Sequence, residues 1–125
     1  MQRVSFSKIL LLYSPNLFRQ AGCPLFSVEI LSASEYFKAK YVMASKVNLD
    51  ATHAGDRIHK VYSFGNSTCK IYISSDTRTL VFKLGDGAND GFSCAFINYW
   101  FYFTYDLIIG TEADVSQMTE ITPSE

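Results

Sequence analysis

The stretch "FKAKYVMASKVNLD", Phe37–Asp50, decides the fold. Phe37, Ala39, Tyr41, Met43, Ser45, Val47 and Leu49 alternate with Lys38, Lys40, Val42, Ala44, Lys46, Asn48 and Asp50. Successive side chains of a strand point to opposite faces, so this period of two builds one apolar face and one wet face. A helix would gather Tyr36, Met43 and Val47 on one stripe and place Lys40 on it as well. The strand therefore starts at about Phe37. Ser32-Ala33-Ser34-Glu35 has the pattern of a capping box, which predicts one helical turn from Ala33 just before it.

The neighbouring segments repeat the pattern. "RIHKVYSF" (57–64), "CKIYIS" (69–74) and "LVFKL" (80–84) are short apolar runs separated by "GNST" (65–68) and "SDTRT" (75–79). Such spacing predicts sequential antiparallel hairpins. Towards the N-terminus, "VSFSKILLLY" (4–13) reads as a strand or a short helix, followed by a loop from Ser14 to Pro24 and a second apolar run, Leu25–Leu31. "FSCAFINYWFYFTYDLIIG" (92–110) carries a single charge, Asp106. Its β-branched and aromatic content favours one or two buried strands over a buried helix. Its Asn98, Thr104, Tyr and Trp content argues against a membrane span. The tail "TEADVSQMTEITPSE" (111–125) is acidic; Val115, Met118 and Ile121 recur at helical spacing, and the end beyond Pro123 is expected to fray.

The expected fold class is thus mainly β, all-β or α+β. An antiparallel meander of 5–7 strands would form a sandwich, an open barrel or a sheet with one or two short helices. At 125 residues the chain is expected to form one domain, 1–125. Hydrophobic residues at 48% are enough for a packed core, and aromatics at 15% suit strands.

The net charge of −1 conceals an asymmetry. All 11 Lys and Arg lie at or before Lys83, against 5 acids there, so that part carries +6. Residues 84–125 hold the other 7 acids and no base. The bases are scattered singly, which predicts mutual attraction inside one fold rather than a polyanion-binding run. Cys23, Cys69 and Cys94 are widely separated and odd in number, so neither a zinc site nor a disulfide framework is expected. No targeting segment is recognised, and a cytoplasmic location is expected.

Gly85-Asp86-Gly87-Ala88-Asn89-Asp90, after the apolar "LVFKL", resembles the late acidic motif of the haloacid-dehalogenase-like phosphohydrolases, most closely that of P-type ATPases. The resemblance covers about a dozen residues and implies Asp86 and Asp90 near Mg²⁺, with Asn89 holding the loop. That chemistry also needs a nucleophilic aspartate in a D-K-T-G-T or D-x-D setting, and nothing before Asp86 supplies it. The doubly wound fold needs parallel strands joined by helices, and the connections here are too short. Glycines and self-capping Asp and Asn explain the same letters as a turn. Asp86, Asn89 and Asp90 are therefore expected to form an exposed recognition loop rather than a metal-dependent active site.

Asp50, His53, Asp56 and His59 recur every third residue, but in a turn-rich stretch that does not converge on a metal. No nucleophile elbow is present. The expectation is a small, non-enzymatic binding domain without a cofactor, acting on a partner protein through a sheet face, an edge or its loops, as many phage or viral accessory proteins and inhibitors do. A homo-oligomer is compatible with this reading. Two alternatives use other residues. An apolar-ligand β-barrel would line its pocket with Phe96, Trp100 and Tyr102, which are also the candidate interface aromatics. A nucleic-acid-binding sheet would use Lys38, Lys40, Lys46, Lys70 and Lys83 interleaved with Tyr41, Tyr62 and Tyr72.

Overall fold

The alternation at Phe37 is met by a strand whose side chains are alternately buried and half-buried over its whole length, β4 (Phe37–Met43). The computed structural model describes residues 2–15, 17, 26–33, 36–43, 58–85, 93–99 and 104–124. In chain order its elements are β1 (Gln2–Phe6), β2 (Ile9–Tyr13), β3 (Phe26–Ser32), β4, β5 (Ile58–Gly65), β6 (Cys69–Ile73), β7 (Thr79–Leu84), β8 (Ser93–Tyr99), β9 (Asp106–Ile109), α1 (Glu112–Val115) and β10 (Thr119–Ile121). They form two five-stranded sheets: a front sheet ordered β1-β8-β3-β4-β5 and a back sheet ordered β10-β6-β7-β2-β9. Every named strand pair is antiparallel.

One apolar core joins the sheets. The front sheet contributes Phe26, Val28, Ile30, Phe37, Ala39, Tyr41, Met43, Ala95 and Ile97; the back sheet contributes Leu10, Leu12, Ile71, Ile73, Leu80, Phe82 and Leu84. The rings of Tyr41 and Phe82 meet across the interface, centroids 6.0 Å apart. The architecture is therefore an antiparallel β-sandwich with its inter-sheet space filled by side chains. The mainly β, antiparallel expectation is met, with ten strands rather than five to seven.

The connections differ from the expected chain of hairpins. "SDTRT" does turn a hairpin between β6 and β7. There the Ser74 hydroxyl donates to the Asp76 carboxylate (2.6 Å), and the backbone N–H of Arg78 donates to the same carboxylate (3.0 Å). Residues 66–68 instead carry the chain from the front sheet to the back sheet, and β7 and β8 lie in different sheets. The stretch "GDGANDG" hence joins strands that are not hairpin partners. Its residues 86–91 lie outside the described residues.

Of the predicted capping box, Ser34 and Glu35 lie outside the described residues. Ser32 ends β3, its hydroxyl accepts from Ser93 (3.3 Å), and the β3–β4 register pairs it with Phe37. Between them the Tyr36 N–H donates to the Ala33 carbonyl (3.3 Å). At the other end the helix is a single turn, Glu112–Val115. The Thr111 backbone N–H donates to the Asp114 carboxylate at its start (2.7 Å). Val115 and Met118 pack on the outer face of the back sheet, over Ile9, Leu11 and Val81. Ile121 leaves that stripe to pair with Ile71 and enter the main core. Ser124, expected to fray, bonds to the edge of β5: Lys60 N–H donates to its carbonyl (2.7 Å) and its own N–H donates to the Ile58 carbonyl (2.9 Å).

Of the apolar stretch 92–110, the described parts form β8 and β9. Among the described residues no helix is long and apolar enough to cross a membrane. The attraction between the basic and acidic parts of the chain is visible where Lys83 on β7 meets Glu112 of α1 at 2.9 Å.

Strand β5 carries a bulge that matters for the site. Tyr62 lies opposite Lys40, but Lys60 lies opposite Tyr41, which leaves Val61 as an extra residue. The bulge shifts the phase of the strand. Ile58 on one side of it is buried in the core, whereas Tyr62 and Phe64 on the other side face outward beside Lys40 and Lys38. The strand ends at Gly65, at φ 114°, against the turn before β4. A Cβ on Gly65 would lie 1.7 Å from the Tyr36 carbonyl oxygen. Gly65→Ala is expected to destabilise the chain by about 2 kcal/mol or more, read by chemical denaturation.

Candidate functional site

The two outer faces of the sandwich differ. On the back face Val115 and Met118 cover Ile9, Leu11 and Val81, while Ile108 at its edge stays 49% exposed. Among the described residues, no element covers the front face. Its side chains follow from the register. One cross-strand row runs Arg3, Phe96, Glu29, Lys40, Tyr62; the next runs Ser5, Cys94, Leu31, Lys38, Phe64. The core demands the intervening residues, so these are the ones the pleat turns outward.

At the end of the second row the surface dips into a groove of about 600 Å³. Leu31 and Cys94 lie on its floor, and the buried Ser32 and Ser93 close one side. Tyr36, Phe37, Ala33 and Phe64 form an apolar wall; Arg3, Ser5 and Lys38 supply polar groups. A volume in this range suits a small ligand or a few side chains of a partner.

The wall is aromatic and exposed. Tyr36 is 70% and Phe64 52% exposed. Their rings meet edge to face with centroids 6.3 Å apart, and Phe64 stacks on Tyr62 at 6.2 Å. Tyr36 holds a left-handed backbone, φ 45°, which costs a non-glycine residue about 1 kcal/mol or more.

Charge on the face is partly tied down. The Tyr62 hydroxyl donates to the Glu29 carboxylate. Lys38 reaches the same carboxylate at 3.9 Å and lies 5.8 Å over the Tyr62 ring. Arg3 and Lys40 make no ion pair among the described residues. The face thus carries three cations around one engaged carboxylate, with aromatic surface between them.

Sequence-predicted residues fall in several places. Asp86, Asn89, Asp90, Trp100 and Tyr102 lie outside the described residues, as do Lys46, Cys23, Asp50, His53 and Asp56. Phe96 is half-buried on the outer face between Arg3 and Glu29, because its neighbours Ala95 and Ile97 fill the core. His59 stands exposed on β5. No group of three metal-ligating side chains occurs among the described residues. Lys38, Lys40 and Tyr62 share the front face, but Tyr41 is in the core and Lys70, Tyr72 and Lys83 belong to the back sheet. Sequence reasoning passed over Arg3, Leu31, Tyr36 and Phe64. Leu31 carried a signal, as the odd member of an alternation that buries Val28 and Ile30. Phe64 carried none without the bulge.

Burial also moves titrations. Desolvation, with the hydrogen bond and charge of Glu29 behind it, pushes Tyr62 up to about 12. Tyr41 on the front sheet and Cys69 on the back sheet hydrogen-bond each other; desolvation raises the tyrosine and pushes the thiol up to about 12. Comparison of the chain with protein-family models, curated proteins and solved structures finds no match.

The protonated forms of Tyr62 and Cys69 are the ones the fold favours. Their contributions are complete below the unfolded values near 10 and 9, and are lost as pH rises through about 12. Thermal melts are expected to hold level from pH 7 to pH 9 and to fall above that. Tyr62→Phe should remove the part of the fall between pH 10 and pH 12, together with one late-titrating tyrosinate in the ultraviolet spectrum.

Proposed function

We propose that the chain is a non-enzymatic binding domain that engages a partner protein through the outer face of its front sheet. The observation that carries this is the uncovered run Tyr36, Phe64 and Tyr62 beside the groove, set against a back face whose apolar strip is roofed by its own chain. Exposed aromatic side chains lose little rotamer freedom on docking and bury much area, which is why they anchor protein interfaces. Cations at the margin supply the polar rim of such a surface.

Tyr36 separates binding from folding. Tyr36→Gly releases the strain of φ 45° while giving up one ring contact, so stability should change by less than about 1 kcal/mol. A partner captured by the wild-type chain from lysate of its native host should bind Tyr36→Gly and Phe64→Ala about tenfold more weakly. It should bind the back-face variant Lys70→Ala unchanged. Equal capture by all the chains would remove the front face as the binding surface.

A further inference from the structure

The reading that the front face binds a protein leaves open what kind of segment it takes, and the inference here rests on that reading. From the geometry we infer that the groove receives an extended acidic segment of the partner, running across the strands. Two carboxylates four residues apart would meet Arg3 and Lys38, with an apolar side chain midway between them on Leu31 and Cys94.

The spacing comes from the sheet. Arg3 is on β1 and Lys38 on β4, with β8 and β3 between them. Arg3 is in register with Lys40, two residues along β4 from Lys38, so three inter-strand steps and that offset put the backbones of Arg3 and Lys38 about 16 Å apart on a diagonal. Both side chains line the groove, and the residues between them on its floor, Cys94 and Leu31, carry no charge. An extended peptide advances about 3.3 Å per residue and presents every second side chain to one side. Its residues i and i+4 then stand about 13 Å apart on the face turned to the groove, about 3 Å less than the backbone separation of Arg3 and Lys38 and within the reach of their long side chains, and i+2 falls between them. An acid, an apolar residue and an acid at those positions match a cation, an apolar floor and a cation.

Both cations have capacity to spare. Arg3 is exposed and has no ion pair among the described residues. Among the described residues Lys38 is held by a 3.9 Å approach to Glu29 and by the Tyr62 ring. A half-exposed pair of that kind is weak, so an incoming carboxylate can share the ammonium. The exposed rings of Tyr36 and Phe64 cover the apolar residue from the side. A single-stranded nucleic acid fits the pattern less well. It brings a phosphate with every nucleotide, including over the uncharged floor, whereas the peptide brings charge only at the two ends.

The test is fluorescence anisotropy with the full chain and a labelled heptapeptide: glutamates at its second and sixth positions, phenylalanine at the fourth, serine elsewhere. It should bind about tenfold more tightly than the same peptide with lysines for glutamates, and more tightly than one with its glutamates adjacent. Arg3→Glu and Lys38→Glu should each weaken it by about fivefold. Arg3→Glu should recover affinity for a peptide in which one glutamate is replaced by lysine. Arg3→Gln and Lys38→Gln, checked by thermal melts, serve if charge reversal disturbs folding. Equal binding of the lysine peptide, indifference to the spacing, tighter binding of a single-stranded oligonucleotide, or no binding of any peptide at millimolar concentration would each overturn the inference. If no peptide binds while Tyr36→Gly and Phe64→Ala still lose a captured partner, the binding face stands and the acidic segment falls.

Discussion

The contact of Tyr41 with Phe82 across the sandwich sets the rest in place. Once Tyr41 is committed to the core, the pleat commits Phe37, Ala39 and Met43 with it and turns Lys38, Lys40 and Val42 outward. A slip of one residue would drive two lysines between the sheets and expose two aromatics. That outcome is far costlier than any single hydrogen bond of the ladder returns. The neighbouring strands inherit this register, so the two outward rows that build the front face are a consequence of what the core must bury.

The two sheets then solve the same problem in different ways. Each has an inner face to bury and an outer face to manage. On the back sheet Ile9, Leu11 and Val81 would leave an apolar strip in water, and the chain covers it with Val115 and Met118. On the front sheet Arg3, Lys38, Lys40, Glu29 and Tyr62 intersperse the apolar Leu31, Phe64 and Phe96 with polar groups that water solvates. Among the described residues nothing covers the front face, and its apolar side chains Phe64 and Tyr36 are exposed. The bulge at Val61 completes it, because without that extra residue Tyr62 and Phe64 would share the inward phase of Ile58.

Much of this was legible residue by residue. The period of two from Phe37 identified β4 and its wet face, and the short runs at 57–64, 69–74 and 80–84 identified β5, β6 and β7. Turn chemistry was read correctly at "SDTRT", where side chains bond their own backbone. It misled at "GNST", where the chain crosses between sheets instead of closing a hairpin, and at Val115–Ile121, where a helical recurrence divides between a one-turn helix and a strand. In each of these the competing term is tertiary, and a local window does not contain it.

The sequence by itself determined the strand-rich class, the β6–β7 hairpin and which side chains of β4 must be wet, because alternation and tight-turn chemistry are local properties. Only the tertiary structure decided that the chain crosses between sheets at 66–68 and again between β7 and β8, that Arg3 and Lys38 flank one apolar floor, and that Phe64 faces outward. These depend on which strands become neighbours and on one bulge. The free energy that selects them is burial summed over both sheets, a quantity spread along the whole chain and visible in no single stretch of it.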